Sequence, residues 1–342
     1  MKIIILGPDY KDYAAASYQY EFINELKNKS DKYFHYSKTD HIEIKLLIAK
    51  AKFIPDIVFY NHGWLSDNPN ITLSTYTKLI GSWPDSHIKH IIFLNKEYTN
   101  LNEKLEEIRR YKFDLIFTHL HNFPSFNKTN IKSVFLPLAC SNKNISRDRI
   151  IKLKDRKYDL FFSGILQNWN FKESQSDLRK KIQRELFYCI SDFPVVKKLK
   201  YKDLKIYWKP FYKNRIKNIL SNFLHGKRLN QIDYFNKLAN AKCVLHTSSP
   251  IGIISTRIFE ALGSGSIGLF SNKSNADVIF RDNIHFLNFS TINDLIEKIY
   301  SVKSSINFSS YQYIADNGRE CVEKYHTWKN RVSIFNDELS KL

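Results

Sequence analysis

The stretch from Ala241 to Ser271 constrains the chain more than any other. Ala241-Lys242-Cys243-Val244-Leu245-His246 is a short apolar run of buried-strand type, and Ile267-Gly268-Leu269-Phe270 is a second. Between them a polar loop leads into Thr256-Arg257-Ile258-Phe259-Glu260-Ala261-Leu262, which reads as a helix. Ser255 or Thr256 supplies its N-cap, and Gly263, Gly265 and Gly268 supply the stop. Two buried strands joined through a helix form a parallel βαβ crossover. In open α/β sheets, ligands sit beyond the carboxyl ends of the strands. Thr247 to Arg257 therefore lies at a ligand mouth, on the positive end of a helix, where bare N–H groups attract anions.

The rest of the chain repeats the strand–helix alternation. Lys2 to Leu6 is a buried strand ending at Gly7, and Ala14 to Leu26 is a helix, an opening typical of a Rossmann-like half. Further strands are expected at Tyr33–Tyr36, Asp56–Tyr60, His90–Leu94, Phe113–Thr118 and Val134–Leu138, with helices at Ile42–Ala51 and Leu101–Arg110. Three of these strands end in ionisable clusters, Asn61-His62-Gly63, Asn95-Lys96-Glu97 and His119-Leu120-His121, as the active edge of a parallel sheet does. The polar stretch Ser141–Arg156 is a domain boundary, after which Tyr158–Phe162 opens a second sheet. Its expected elements are helices at Asp177–Ile190, Ile232–Ala239 and Ile292–Tyr300, strands at Lys205–Trp208 and Ile284–Leu287, and a helical tail from Tyr311 to Leu339. No G-x-G-x-x-G is present, so a dinucleotide cofactor is not expected.

Arg257-x-x-Glu260-Ala261, followed by Gly265 and an apolar strand, resembles the donor-binding motif of GT-B glycosyltransferases. The nearest pattern is the group 1-like C-terminal module of spore-maturation-type enzymes. Ser163-Gly164 after a strand, Arg179 in the next helix, and His326-Thr327-Trp328 before a last helix extend the resemblance. It covers residues 158 to 335 by motif and residues 1 to 140 in topology only. It implies a GT-B fold: two Rossmann-like domains, a donor/acceptor cleft, and a C-terminal helix that crosses back to the first domain. The boundaries expected are 1–150 for an acceptor domain, 151–315 for a sugar-nucleotide donor domain and 316–342 for the returning helices. It also implies that Glu260 contacts the ribose hydroxyls of the donor. A carboxylate suits a ribose diol, and an Arg beside a helix start suits a diphosphate. The bland alternative is a surface helix with Arg257 and Glu260 paired three residues apart. Group 1 enzymes carry a second Glu eight residues before the ribose Glu. Gly252 stands there in this chain, so contacts to the donor sugar do not carry over.

The resemblance implies a sugar-nucleotide-dependent transferase acting on a glycan, lipid-linked or protein acceptor in surface-glycan synthesis. The chain has no Asp-x-Asp triplet, which favours the metal-independent solution, with the leaving diphosphate held by N–H groups and cations. Candidates for donor binding are Gly164, Arg179, Lys227, Arg228, Ser249, Thr256, Arg257 and Glu260. His62 and Glu97 compete as the base that deprotonates the acceptor hydroxyl. His119 and His121, two apart on one strand, form a metal pair only if further ligands join them. Other readings are a catalytically silent module that binds nucleotide sugar and a basic nucleic-acid-binding protein. No signature motif supports the last.

The formal charge of +19 is uneven: residues 151 to 230 hold 20 Lys and Arg against 7 Asp and Glu. That surplus suits peripheral contact with an anionic membrane. The longest N-terminal apolar run, Ile3–Leu6, is too short for a signal peptide or a membrane span. The four scattered cysteines form no C-x-x-C, so the expectation is a reduced, cytoplasmic protein.

Overall fold

A computed structural model of the chain describes residues 1–7, 9, 11, 17–37, 42–61, 83, 85, 87–94, 97, 101–122, 124–145, 150–165, 175–188, 198–211, 219, 229–305 and 308–342. In chain order the elements begin β1 (Lys2–Leu6), α1 (Ser17–Asn28), β2 (Lys32–Tyr36), α2 (Ile44–Ala51), β3 (Ile57–Asn61), β4 (Lys89–Phe93), α3 (Leu101–Tyr111), β5 (Leu115–Thr118) and β6 (Ser133–Phe135). Then come α4 (Asn142–Ile145), β7 (Tyr158–Ile165), α5 (Gln175–Leu186), β8 (Phe187–Tyr188), β9 (Lys198–Leu199), β10 (Ile206–Phe211), α6 (Gln231–Ala239) and β11 (Ala241–His246). The chain closes with α7 (Thr256–Gly263), β12 (Ile267–Ser271), β13 (Leu287–Phe289), α8 (Ile292–Ser304), α9 (Ser309–Tyr325) and α10 (Trp328–Leu339). The chain divides into two compact units, Met1–Leu138 with Trp328–Leu342, and Ala139–Thr327.

The first unit is a six-stranded parallel sheet in the order β2-β1-β3-β4-β5-β6. All five residues of β3 are buried, as expected of a parallel strand covered on both faces. The last helix, α10, returns to this unit. Its Phe335 ring stacks on Phe117 at 4.7 Å and meets Phe22 and Phe59 edge-on. Burying one such phenyl ring contributes about 1.5–3 kcal/mol. Arg331, on the same helix, donates to the carbonyls of Pro137 and Leu138. Burial brings its pKa down to about 9, so it stays a cation at neutral pH.

The second unit is a five-stranded parallel sheet in the order β10-β7-β11-β12-β13, beside a two-residue antiparallel pair, β8 and β9. One face of that sheet carries Leu160, Phe162, Cys243, Leu245, Ile267 and Leu269 into a common core. The other side of β11 and β12 is covered by α6 and α7. Helix α7 stops for three reasons. Gly265 takes a left-handed φ of 69°, Arg319 Nη1 donates to the Gly263 carbonyl at 2.7 Å, and Arg156 Nη2 donates to the Ser264 carbonyl at 3.1 Å. Two guanidiniums thus satisfy carbonyls that a helix C-terminus leaves open.

Several expected boundaries move. Gly268 does not help to stop the helix; it lies inside β12. The helix expected to reach Ile190 ends at Leu186, because buried Phe187 pairs with Leu199 in the short hairpin. The strand expected at Ile284–Leu287 lies at Leu287–Phe289, because Arg281–His285 closes a turn with Asn283 at φ 59°. The helical tail is two helices, broken where the Cys140 N–H donates to the His326 carbonyl at 2.9 Å.

Candidate donor site at the edge of the second sheet

The site is built on the loop between β11 and α7. Ser255 is the N-cap of α7, and its hydroxyl accepts from the Arg257 N–H at 3.2 Å. Between the two options of the sequence, the cap is therefore Ser255, which leaves Thr256 partly exposed in the first turn. Upstream the loop is strained. Ile251 holds a left-handed φ of 48° and Gly252 one of 81°; for a β-branched residue that conformation costs about 1–3 kcal/mol. The Asn275 side-chain amide donates to the Gly252 carbonyl at 3.0 Å and fixes the bend. The Gly252 N–H in turn lies 3.3 Å from the Ser249 carbonyl.

Arg257 projects from the first turn of α7 onto β7. A Cβ built on Gly164 would sit 2.8 Å from Arg257 Nη1, so the absence of a side chain at 164 is what admits the guanidinium. Arg257 Nε is buried and has no hydrogen-bond partner among the described residues. Arg179 comes from α5, lies over the Phe162 ring at 5.9 Å, and donates through Nε to Thr247 Oγ1 at 2.7 Å. Burial, followed by the charge of Arg257, pulls its pKa down to about 9. Two cations held side by side repel one another, and an anion between them would relieve that repulsion.

Glu260 is partly exposed one turn further along α7. Its Oε2 accepts from the Tyr234 hydroxyl of α6 at 2.9 Å. Burial first, then the Glu260 charge, pushes the Tyr234 pKa up, so Tyr234 is a fixed donor. The structure thus brings Gly164, Arg179, Ser249, Thr256, Arg257 and Glu260 to one edge of one sheet. Lys227 and Arg228 lie outside the described residues, as does His62. Sequence reasoning set Thr247 at the ligand mouth but missed Tyr234 and His246. His246 was visible as the end of a strand, but Tyr234 carried no signal beyond the apolar periodicity of its helix.

In the first unit, Glu97 is 1% exposed. Its Oε1 accepts from Thr118 Oγ1 at 2.9 Å and from the His119 N–H at 2.8 Å. Its Oε2 has no partner among the described residues. His119 is buried, with Nδ1 2.9 Å from the Leu136 carbonyl, while His121 is exposed beside Phe135. Among the described residues, no group of three or more His, Cys, Asp or Glu side chains stands ready to hold a metal ion. No described helix is long and apolar enough to cross a membrane.

Residues 180–337 match the family model described as glycosyl transferase-like. The chain carries a glycosyltransferase family domain. The whole chain also shares the GT-B fold of solved glycosyltransferases. A glycosyltransferase from Rickettsia africae aligns with a TM-score of 0.62 at 12% identity, over 99% of this chain and 97% of that one. Anabaena Alr3699/HepE, solved with UDP and glucose, aligns with a TM-score of 0.59 at 12% identity over 100% of both chains. T4 phage BGT, solved with UDP and Mn2+, aligns with a TM-score of 0.53 at 12% identity, over 100% of this chain and 99% of that one. No curated protein sequence gives a significant match. The glycosyltransferase domain contains every second-unit residue described above from Lys180 onward. Gly164 and Arg179 lie just before the matched span.

Proposed function

We propose that the protein transfers a sugar from a nucleotide-sugar donor to a glycan, lipid-linked or protein acceptor, without a metal ion, in surface-glycan synthesis. One observation carries this reading: Arg179 and Arg257 stand together at the carboxyl edge of the second sheet, one of them with a buried, unpartnered N–H. A diphosphate is the ligand that such a pair suits, above the start of a capped helix. Glu260 then meets the ribose hydroxyls, held in place by Tyr234. As the glycosidic bond breaks, the leaving nucleoside diphosphate takes the bonding pair. The two guanidiniums and the N–H groups of α7 stabilise that charge, as a metal does elsewhere. UDP or UDP-sugar complexes among proteins of similar fold support a nucleotide-sugar donor. His62 and Glu97 are the proposed acceptor bases, Glu97 through Oε2. Lys227 and Arg228 are proposed to add to the phosphate contacts. The boundaries 1–150, 151–315 and 316–342 remain our proposal for the working acceptor, donor and returning segments. We place the enzyme in the cytoplasm, at the inner face of an anionic membrane, because of the cation surplus between residues 151 and 230.

The test is a thermal-shift screen of UDP, GDP, ADP and CMP, with and without excess EDTA. A ligand at about 100 times its Kd stabilises by about 2.7 kcal/mol. We expect one nucleotide to raise Tm, unchanged by EDTA. No shift with any of them would remove the donor-site reading, and a shift abolished by EDTA and restored by Mn2+ would remove the metal-free mechanism. Flotation on neutral and anionic vesicles tests the membrane; equal recovery on both would end that part.

A further inference from the structure

His246 is the last residue of β11 and only 2% exposed. Neither ring nitrogen has a hydrogen-bond partner among the described residues. An imidazole always has at least one N–H to give, and leaving a buried polar group unsatisfied costs about 1–3 kcal/mol. The ring has an aromatic neighbour and lies within reach of the Arg257 and Arg179 charges. His246 pairs in register with Phe270 of β12, whose ring lies 6.2 Å away. On the other side, β7 pairs Phe161 with Val244. The same register two residues on sets His246 beside Ser163, next to Gly164, where Arg257 enters.

The charged groups that act on it are Arg257 of α7 and Arg179 of α5; Lys209 of β10 pairs with Ser163 across the sheet, and the Glu260 carboxylate, one turn along α7 from Arg257, is engaged by Tyr234 of α6. Burial, then Arg257, then Arg179, hold the His246 pKa well below its ordinary value. In the empty protein the ring is therefore neutral. Both guanidiniums are the groups to which we assign the diphosphate, so this inference rests on that reading. A diphosphate carries negative charge to the place where positive charge now disfavours the imidazolium. Its oxygens are also acceptors of the kind that the ring lacks.

We propose that His246 is a third ligand to the anion held by Arg179 and Arg257, and that it takes up one proton from solvent when that anion binds. The proton stays on the imidazolium while the diphosphate is bound and returns to solvent on release. Binding is thereby tightened by acid, over the range in which the free protein's His246 is still neutral.

The probe must carry no proton of its own that titrates near neutrality, so UDP-glucose, GDP-glucose and ADP-glucose serve, each a diphosphate diester. Calorimetry at pH 7.0 in buffers of differing ionisation enthalpy counts the protons taken up. We expect uptake of between about half a proton and one proton by the unmodified protein, and affinity that rises toward pH 6. In His246→Asn we expect uptake near zero, a flat pH profile, and affinity about 10- to 100-fold weaker. His246→Phe, which fills the space without a polar atom, should behave alike and keep the Tm of the empty protein at or above that of the parent. Equal affinity and equal proton uptake in His246→Asn would overturn the proposal while leaving the diphosphate site standing. Binding by none of the three sugar nucleotides would overturn both.

Discussion

The two sheets of this chain share a parallel topology, yet their carboxyl edges differ in how their polar groups are satisfied. At the edge of the first sheet most of the described groups pair among themselves, and what is left over is a carboxylate oxygen, Glu97 Oε2. Glu97 Oε1 is taken by Thr118 and the His119 N–H, His119 by the Leu136 carbonyl, and His35 by the Gly7 carbonyl; deeper in the sheet Tyr60 meets His90. At the edge of the second sheet cations crowd together, and N–H groups are left over on Arg257 and His246. A fold that buries unpaired donors and like charges gives up stability there, and a ligand of opposite charge returns it. The difference teaches where to look for a ligand in a pair of similar domains: at the edge whose hydrogen bonds do not close.

The largest effect should come from Arg257→Ala. It removes a charged donor aimed at the diphosphate, and each hydrogen bond to a charged group is worth about 1.5–3 kcal/mol. With two such bonds lost, sugar-nucleotide affinity should fall by at least about 100-fold. The empty protein should lose little stability, because the variant also ends the repulsion with Arg179. Calorimetry and thermal unfolding measure the two together. A large fall in Tm with unchanged affinity would reverse the comparison and make Arg257 a structural residue.

Acid sharpens the contrast next. Burial drops the His90 pKa from 6.5 to about 4, which corresponds to about 3 kcal/mol. The folded value lies below the unfolded one, so the unfolded chain binds more protons between them. The stability is complete above about pH 6.5 and is lost as the pH falls toward 4. In His90→Gln the unfolding transition should lose about one proton of pH dependence over that window. A nucleotide sugar should not protect this transition in the first unit, whereas it should protect the second unit, where His246 meets the ligand. Unchanged proton linkage in His90→Gln would show that another group dominates.

Much of the second edge was legible because Arg257, Glu260 and their glycines lie within one βαβ unit, where the spacing alone sets the geometry. Gly164 and Arg179 were legible by resemblance, but the reason for Gly164, the space it leaves for Arg257, needed the fold. Tyr234 was not legible, since its contact with Glu260 depends on two helices meeting 26 residues apart. Gly268 misled for a physical reason: glycine signals a turn in sequence, yet here the Phe270 ring folds over its bare backbone inside a strand, 2.2 Å from where a Cβ would be. In the first unit the strand ends were legible, but the use of Glu97 Oε1 to fasten β5 was not. Nothing in Asn95-Lys96-Glu97 says which strand the carboxylate will meet.

The smallest effect compares one hydrogen bond at each edge. Tyr234→Phe removes the donor that orients Glu260 Oε2, and Thr118→Val removes one of two donors to Glu97 Oε1. Each loss should cost about 0.5–1.5 kcal/mol of stability if the abandoned carboxylate oxygen finds water or another donor. Only the first should reach the donor. With Glu260 free to rotate, part of the binding energy goes into fixing it, so affinity for the sugar nucleotide should weaken about 3- to 10-fold. Thr118→Val should leave that affinity unchanged while lowering Tm, because Glu97 serves no donor atom. Should Tyr234→Phe instead tighten binding, the hydroxyl would be a competitor of the ribose for Oε2, not its preparation. Glu260 would then reach the diol only by giving up Tyr234.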